Sequence, residues 1–280
     1  WDKAMVHSSR QKALELGRSP YDVYTGVDLW PSRDAQRAFS SYQWLDWLFD
    51  GHKALSSIAL FAPNVNFNFD GETHTPAFSR FRTDPKDVSS FYATESRIFA
   101  GDDLNLALVD KAGWKGLGAY LPAKSSLLSL PFSSSFNTGQ GKVMMQQGKK
   151  TGGAWTDISQ QDLLPTWQFA VQGSPVTQSQ LQLSYDFDQP YQGGSSLAVR
   201  GNTTTQSLMP LYHSAVVLNV NSKIRLISQG QSQGLELYLQ TAEGERFLLP
   251  LQSSSGWTTQ SQSLAALAGR QIVQIGLLTQ

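Results

Sequence analysis

The last half of the sequence is a succession of short apolar or alternating segments, separated by clusters of Gly, Ser, Asn and Gln. Such segments occupy residues 180–185, 197–200, 215–220, 223–227, 235–239, 247–251 and 271–277. About seven strands at intervals of roughly 8–12 residues, with turn residues between them, are typical of an antiparallel β-sandwich. We therefore predict a jelly-roll-like β-sandwich over residues 136–280.

The first part of the sequence alternates helical and strand-like patterns instead. Apolar residues at helical spacing predict a helix over residues 3–17, which Gly17 can end. Residues 21–30 and 55–62 are rich in apolar residues and predict two strands, and a helix is predicted between them over 35–49. A strand, a helix and a strand at this spacing form a unit whose two strands are parallel.

These units are too few to close a barrel. A third strand is predicted over residues 127–132 (LLSLPF), whereas a TIM barrel takes eight parallel strands and about 250 residues. We therefore predict that residues 1–135 are the C-terminal portion of a (β/α)8 TIM barrel. The remaining strands would come from an upstream half that precedes Trp1.

The composition limits what the chain can bind. Lys and Arg total 22, Asp and Glu also total 22, and only 16% of residues are charged, which argues against binding to nucleic acid. The absence of cysteine excludes thiolate nucleophiles and cysteine-based zinc sites. The four histidines lack metal-ligand spacing, so we predict no metal and no cofactor. No apolar run reaches the roughly 18 residues that a membrane span needs, so we predict no membrane insertion. A polar, uncharged, aromatic-rich surface suits neutral sugars, although it also fits a low-charge secreted protein.

Five segments together resemble glycoside hydrolase family 85. Residues 21–30 (YDVYTGVDLW) and 55–63 (LSSIALFAP) resemble two barrel strands of that family. Residues 130–141 (LPFSSSFNTGQG) resemble its last barrel strand and the exit from it. Residues 155–166 (WTDISQQDLLPT) and 191–197 (YQGGSSL) resemble segments of the following β domain. The five occur in the family's order, which makes the resemblance specific although each segment alone is weak.

The resemblance implies an endo-β-N-acetylglucosaminidase, which cuts between the two core N-acetylglucosamines of N-glycans. It also implies a substrate-assisted, retaining mechanism, in which the substrate's acetamide oxygen is the nucleophile. In the family, an Asn orients that acetamide, and a Glu two residues later is the general acid/base. No Asn-x-Glu occurs in this sequence. We therefore expect no catalytic residue in this chain and place the pair upstream, on a partner half or a preceding segment.

Candidate substrate-binding residues follow the predicted barrel strands. Asp28 and Trp30 lie at the C-terminal end of the first strand, the end that carries the chemistry in such barrels. Trp30 could stack on a sugar ring and Asp28 could bind hydroxyls, or the two could be a core residue and a loop cap. Asn64 and Asn66 follow the second strand and could bind sugar hydroxyls through their amides. By the resemblance, Trp1 is the Trp that follows the family's preceding strand.

Other residues have a structural interpretation. Trp47 falls in an aromatic stripe on the predicted helix, which is typical of a core. Tyr24 in the first strand is expected to pack. Phe132, Ser133 and Ser135 could line a subsite, and Asn137 is expected to serve a turn between domains.

A different class of function stays open. Because the sequence lacks Asn-x-Glu, the alternative to an enzyme is a non-catalytic glycan-binding or structural module. The expected partner is an N-linked glycan or glycoprotein in either case. Low charge and abundant Ser, Gln and Thr favour a secreted or cell-surface protein, with a cytoplasmic location as the alternative.

Overall fold

The protein is described from a computed structural model. The structure describes residues 1–28, 47–51, 53–61, 92, 95–96, 99–100, 116–121, 123–165, 172–173, 181–202 and 206–279. The chain divides into two compact units, Trp1–Asp103 with Val109–Pro122 and Leu104–Leu108 with Ala123–Gln280. This division precedes the predicted domain limit at residue 135, because Leu127 pairs with Ser214 and packs in the core of the second unit.

The first unit begins with a helix, α1 (Lys3–Glu15), as the spacing of apolar residues predicts. The Asp2 carboxylate caps its N-terminus by accepting a hydrogen bond from the Met5 N–H at 2.8 Å. Gly17 ends the helix as predicted, since its φ of +67° is a conformation that favours glycine.

Two parallel strands follow, which confirms the strand pairing predicted for this unit. They are β1 (Tyr24–Asp28) and β4 (Ser57–Phe61), and a hairpin of β2 (Phe49–Asp50) and β3 (Lys53–Ala54) lies between them in sequence. Residues 35–46 of the helix predicted over 35–49 lie outside the described residues. Its predicted end is wrong, because residues 47–48 form a turn and Phe49 already belongs to β2.

A small core holds these elements together. Its buried side chains come from α1, β1, the β2–β3 hairpin and a short helical turn at Leu117–Ala119: Val6, Val27, Leu48, Phe49, Leu55 and Leu117. The Phe49 ring stacks on that of Tyr120 at 4.9 Å between centroids. The described part of this unit is therefore a parallel strand pair with one face packed against a helix and a hairpin.

The second unit is built from strands. In chain order they are β5 (Gln140–Gly141), β6 (Met144–Gln146), β7 (Lys149–Gly152), β8 (Trp155–Thr156), β9 (Gln172–Gly173), β10 (Gln182–Asp186), β11 (Ser196–Arg200), β12 (Ser207–Val217), β13 (Lys223–Gly230), β14 (Leu235–Thr241), β15 (Arg246–Pro250), β16 (Ser254–Ser263) and β17 (Gln271–Thr279). Each of the seven segments that the sequence predicts as strands overlaps one of these. The prediction of a third barrel strand over 127–132 is wrong, because residues 128–132 form no strand and Leu127 makes only an isolated bridge.

One antiparallel sheet dominates this unit. Its strand order is β15-β14-β17-β12-β9, and β13 pairs with β16 in a separate two-stranded sheet. Val216, Leu239 and Ile272 of the large sheet share a core with Ile224 of β13. Side chains of the two sheets therefore pack together.

Candidate active-site rim

The carboxyl ends of β1 and β4 lie at one edge of their parallel pair. Asp28, the last residue of β1, is directly opposite Phe61, the last residue of β4. The two strands therefore end at the same edge of the sheet. Asp28 lies at this edge, whereas Trp30, Asn64 and Asn66 lie outside the described residues.

Side chains on β1 alternate between a packed and an exposed face. Val27 is fully buried, and the Thr25 hydroxyl lies 2.7 Å from that of Ser56. Tyr24 lies on the opposite face and is 68% exposed, so the expectation that it packs is wrong. The period of two explains the difference, because Thr25 and Val27 already occupy the packed face.

Trp1 binds β1 at the edge opposite β4. The Ser57 N–H donates to the Val23 carbonyl, so the backbone groups of Val23 and of every second residue after it face β4. Gly26 lies between two of these residues, so its backbone groups face the opposite edge of β1. The Trp1 indole N–H donates to the Gly26 carbonyl at 2.7 Å. The structure thus holds Trp1, one of the candidate binding residues, against the candidate strand.

The Trp1 ring has an aromatic neighbour that the sequence assigns to the core. Trp47 meets it edge to face, with 6.5 Å between ring centroids. Trp1 is 46% exposed and Trp47 is 37% exposed, so the assignment of Trp47 to the core is wrong. Two half-exposed indoles in fixed geometry can present an apolar face to a sugar ring.

Glu95 is a titratable residue in the first unit that sequence reasoning missed. Its side chain is partly buried, and burial raises the pKa of its carboxyl above the ordinary value. A raised carboxyl pKa is common where an acid takes part in catalysis, but burial alone also produces it. No pattern in the sequence singles out Glu95, because its burial depends on the tertiary fold.

Three of the family-like segments meet in the second unit. The Asp162 carboxylate accepts hydrogen bonds from the N–H groups of Ser135 and Asn137 at 2.7 and 3.0 Å. The Asn137 side chain donates to the Gln160 carbonyl at 2.8 Å and accepts from the Gly194 N–H at 3.0 Å. Segments 130–141, 155–166 and 191–197 are therefore joined through one buried amide.

This network points to a structural role for the segments. The Phe132 ring packs edge to face on Tyr212 at 5.0 Å between centroids, which favours packing over lining a subsite. The Tyr212 hydroxyl donates to the Leu163 carbonyl at 2.7 Å and lies 3.1 Å from the Ser134 hydroxyl. Asn137 joins segments within one unit, rather than serving a turn between domains.

The part of the chain that the structure describes contains neither a metal-ligand cluster nor a membrane-spanning helix. No group of three or more His, Cys, Asp or Glu residues there could hold a metal ion. Among the same residues, no helix has the length and apolar character to cross a membrane.

Comparison with known proteins points in one direction. The sequence model of "Glycosyl hydrolase family 85" matches residues 1–144. A chicken (Gallus gallus) protein described as "Cytosolic endo-beta-N-acetylglucosaminidase" is 26% identical over 209 residues, which are 72% of this chain and 22% of that protein. The crystal structure of the Spr0440 glycoside hydrolase domain, Endo-D from Streptococcus pneumoniae R6, matches 99% of this chain and 42% of its own, with a TM-score of 0.76 and 25% identity. The chain thus spans less than half the length of either relative.

Proposed function

Because this chain belongs to glycosyl hydrolase family 85, we propose that it is part of an endo-β-N-acetylglucosaminidase that cleaves the N,N′-diacetylchitobiose core of N-glycans. The observation that carries the proposal is the family match over residues 1–144, the part that contains β1 and β4. The chicken relative, named as such an enzyme, and the Endo-D domain support it. An N-linked glycan or glycoprotein is then the substrate.

The proposed reaction is a substrate-assisted hydrolysis with retention. The acetamide oxygen of the bound N-acetylglucosamine attacks the anomeric carbon while a Glu gives its proton to the departing glycosidic oxygen. The same Glu then takes a proton from the water that opens the intermediate. Since this sequence contains no Asn-x-Glu, we place the orienting Asn and this Glu outside residues 1–280.

The chain's contribution is part of the rim around the substrate. Asp28 ends β1, and Trp30, Asn64 and Asn66 follow β1 and β4, whose carboxyl ends share one edge. In a (β/α)8 barrel this edge carries the substrate-binding loops. Trp1 would add a half-exposed indole beside β1.

The architecture that fits this role is the C-terminal portion of a TIM barrel followed by a β-sandwich. The parallel pair of β1 and β4 supports the barrel, and the shared core of the two antiparallel sheets supports the sandwich. The sandwich would begin near Ala123, the first residue of the long segment Ala123–Gln280 of the second unit.

The rim role is tested with Trp30→Ala in the protein made from the whole reading frame that contains this sequence. Loss of ring stacking should lower kcat/KM for a high-mannose glycopeptide about tenfold, which corresponds to about 1.4 kcal/mol. Tyr21→Ala is the matched control, because Tyr21 is 45% exposed and precedes the strand. Equal kcat/KM in the two variants would contradict the proposed role of Trp30 in substrate binding at the rim.

The second candidate is a glycan-binding module without turnover, which the missing Asn-x-Glu favours. An uncharged polar surface fits it equally well. The two functions separate in one assay, because a module binds the glycopeptide without changing its mass. An endoglycosidase shortens the glycopeptide and leaves one N-acetylglucosamine on the asparagine.

For location, the name of the chicken relative favours the cytoplasmic alternative, since it describes that protein as cytosolic. The secreted or cell-surface location predicted from composition has no support from the relatives described above.

A further inference from the structure

Two aromatic rings lie side by side on the second unit, away from the residues of the proposed rim in the sequence. The rings of Tyr191 and Trp257 are 5.4 Å apart between centroids, with 61° between their planes, and both residues are half-buried. Gly148 lies at the rings, since a Cβ there would be 3.6 Å from both. Side chains that were only core filling would be covered, whereas each of these keeps an exposed part.

The backbone holds this pair in place. The Gly148 N–H donates to the Tyr191 carbonyl at 2.8 Å. Met145 and Gly193 exchange two hydrogen bonds of 2.9 Å, which fasten the β6–β7 hairpin to the loop that carries Tyr191. A site fixed before its ligand arrives loses little conformational entropy on binding.

Glutamines flank Gly148 and Tyr191 in sequence. The Gln147 N–H donates to the Gln192 side-chain oxygen at 3.1 Å, which orients that amide and keeps its two N–H donors for another partner. Gln189 accepts from the Gln229 side chain at 2.5 Å. Gln147, Gln189 and Gln192 are all exposed. We call Gln147, Gln189, Tyr191, Gln192 and Trp257 the amide–aromatic patch.

Charge at this surface is low. Lys142 and Asp188, on the hairpin side and the loop side, pair with each other at 2.8 Å. Lys149 and Lys150 follow the Gln147–Gly148 turn and are exposed, which adds two cations to the surroundings. Two lysines in solvent attract an anion weakly, because salt screens them, whereas amides that donate and accept suit hydroxyl groups.

We propose that the amide–aromatic patch binds one or two pyranose rings of a neutral oligosaccharide. The C–H face of a pyranose packs on the exposed part of an aromatic ring, and its hydroxyls bond to the neighbouring amides. Two rings are far smaller than the roughly 800 Å² per partner that a stable protein interface buries. The patch lies entirely in the second unit, so it goes beyond the proposed role of the first unit in cleavage.

The test measures binding to the whole 280-residue chain, with no turnover involved. A high-mannose oligosaccharide is titrated in by ligand-observed saturation-transfer NMR, with N,N′-diacetylchitobiose as a second probe. Trp257→Ala and Tyr191→Ala should each weaken binding of whichever probe binds by about tenfold, equivalent to about 1.4 kcal/mol. Tyr21→Ala removes an exposed tyrosine from the first unit and should leave this binding unchanged.

Gln192→Ala keeps both rings, and because its side chain is exposed the fold should be retained. It should weaken binding about threefold, as expected for one hydrogen bond of about 0.7 kcal/mol, and lower the thermal midpoint only by the loss of the exposed hydrogen bond from the Gln147 N–H. The proposal is overturned if neither sugar binds, or if Trp257→Ala, Tyr191→Ala and Gln192→Ala bind like the parent chain. It is also overturned if Trp257→Ala abolishes self-association of the chain in sedimentation while sugar binding persists, since the patch is then a protein contact. Because the readout is binding, these results do not depend on whether the proposed enzyme is active.

Discussion

At the scale of single residues, the second unit depends on glycines that leave no room for a side chain. Gly194 donates its N–H to Asn137, and a Cβ on Gly194 would lie inside van der Waals contact of the Gln140 carbonyl oxygen. The obstacle is backbone, which cannot rotate away as a flexible side chain does. The glycines of the family-like segment 191–197 are thus explained by close packing.

We expect Gly194→Ala to lower the free energy of unfolding by about 1–3 kcal/mol, because the backbone must move to accept the methyl group. Gly256→Ala is the matched control, since a Cβ there would meet nothing within 4 Å. Thermal denaturation followed by circular dichroism measures both. Equal midpoints for the two variants would mean that the packing around Gly194 is looser than described.

The partly buried carboxyl of Glu95 gives a pH-dependent expectation. Burial raises its pKa in the folded state, so its ionisation above that pKa disfavours folding. The protonated carboxyl's contribution to stability is complete below its ordinary pKa and is lost as the pH rises through the raised pKa of the folded state. Glu95→Gln should therefore melt higher than the parent chain at pH 7, and the difference should vanish toward pH 4.

The exposed Glu15 provides the control for this experiment. It pairs with Lys12 at 3.1 Å on the surface, and such pairs contribute little, so Glu15→Gln should change the midpoint only slightly at either pH. If Glu95→Gln melts lower than the parent at pH 7, the ionised carboxylate is stabilised by a partner and burial is not the main influence.

At the scale of elements, Tyr212 joins β12 to the segment before β5. Its ring contacts Phe132 and Phe136, and its hydroxyl donates to the Leu163 carbonyl. Burial raises the pKa of Tyr212. The hydroxyl is therefore part of the packing and stays protonated in the folded chain.

Tyr212→Phe keeps the ring contacts and removes the hydroxyl, so we expect a loss of about 1 kcal/mol at pH 7. The folded-state pKa is raised, so the hydroxyl's contribution is complete below the ordinary tyrosine pKa of about 10 and falls as the pH rises above it. The difference between parent and Tyr212→Phe in urea denaturation should thus narrow between about pH 9 and pH 11. Tyr21→Phe serves as the control, and a difference that widens over this range would contradict the assignment.

The elements also show how far sequence patterns reach. Alternation and turn residues predicted strands that overlap β10 to β15 and β17, because apolar residues recur along each of them. They missed β16 (SSGWTTQSQS), whose residues are mostly polar and only half-buried or exposed, so its pairing with β13 leaves no apolar pattern. Trp47 was misassigned because a local pattern does not show its contact with Trp1, which is remote in sequence.

The site was predicted less completely than the fold. The parallel register that brings the ends of β1 and β4 together follows from the strand, helix and strand pattern. The roles of Asp28, Trp30, Asn64, Asn66 and Trp1 rest on the resemblance, because no spacing in the sequence defines a sugar site. The amide–aromatic patch was not predicted at all, since the β6–β7 hairpin, the loop at Tyr191 and β16 are brought together by the fold.

At the scale of the whole molecule, the chain is a family 85 member that covers 42% of the Endo-D domain it resembles. Its first unit supplies two parallel strands whose ends form the proposed rim, and its second unit supplies an antiparallel sheet structure with a separate proposed sugar site. The proposed reaction needs an Asn and a Glu that residues 1–280 do not provide as Asn-x-Glu.

The most direct measurement is release of N-glycan by a chimera in which residues 1–280 replace the matching part of the Endo-D domain. Mass spectrometry of a high-mannose glycopeptide should show a product that retains one N-acetylglucosamine, with no release by the 280-residue chain alone or by the truncated domain. Release by the 280-residue chain alone would contradict the proposed location of the Asn and Glu. A chimera that melts cooperatively but leaves the glycopeptide intact would contradict the proposed activity.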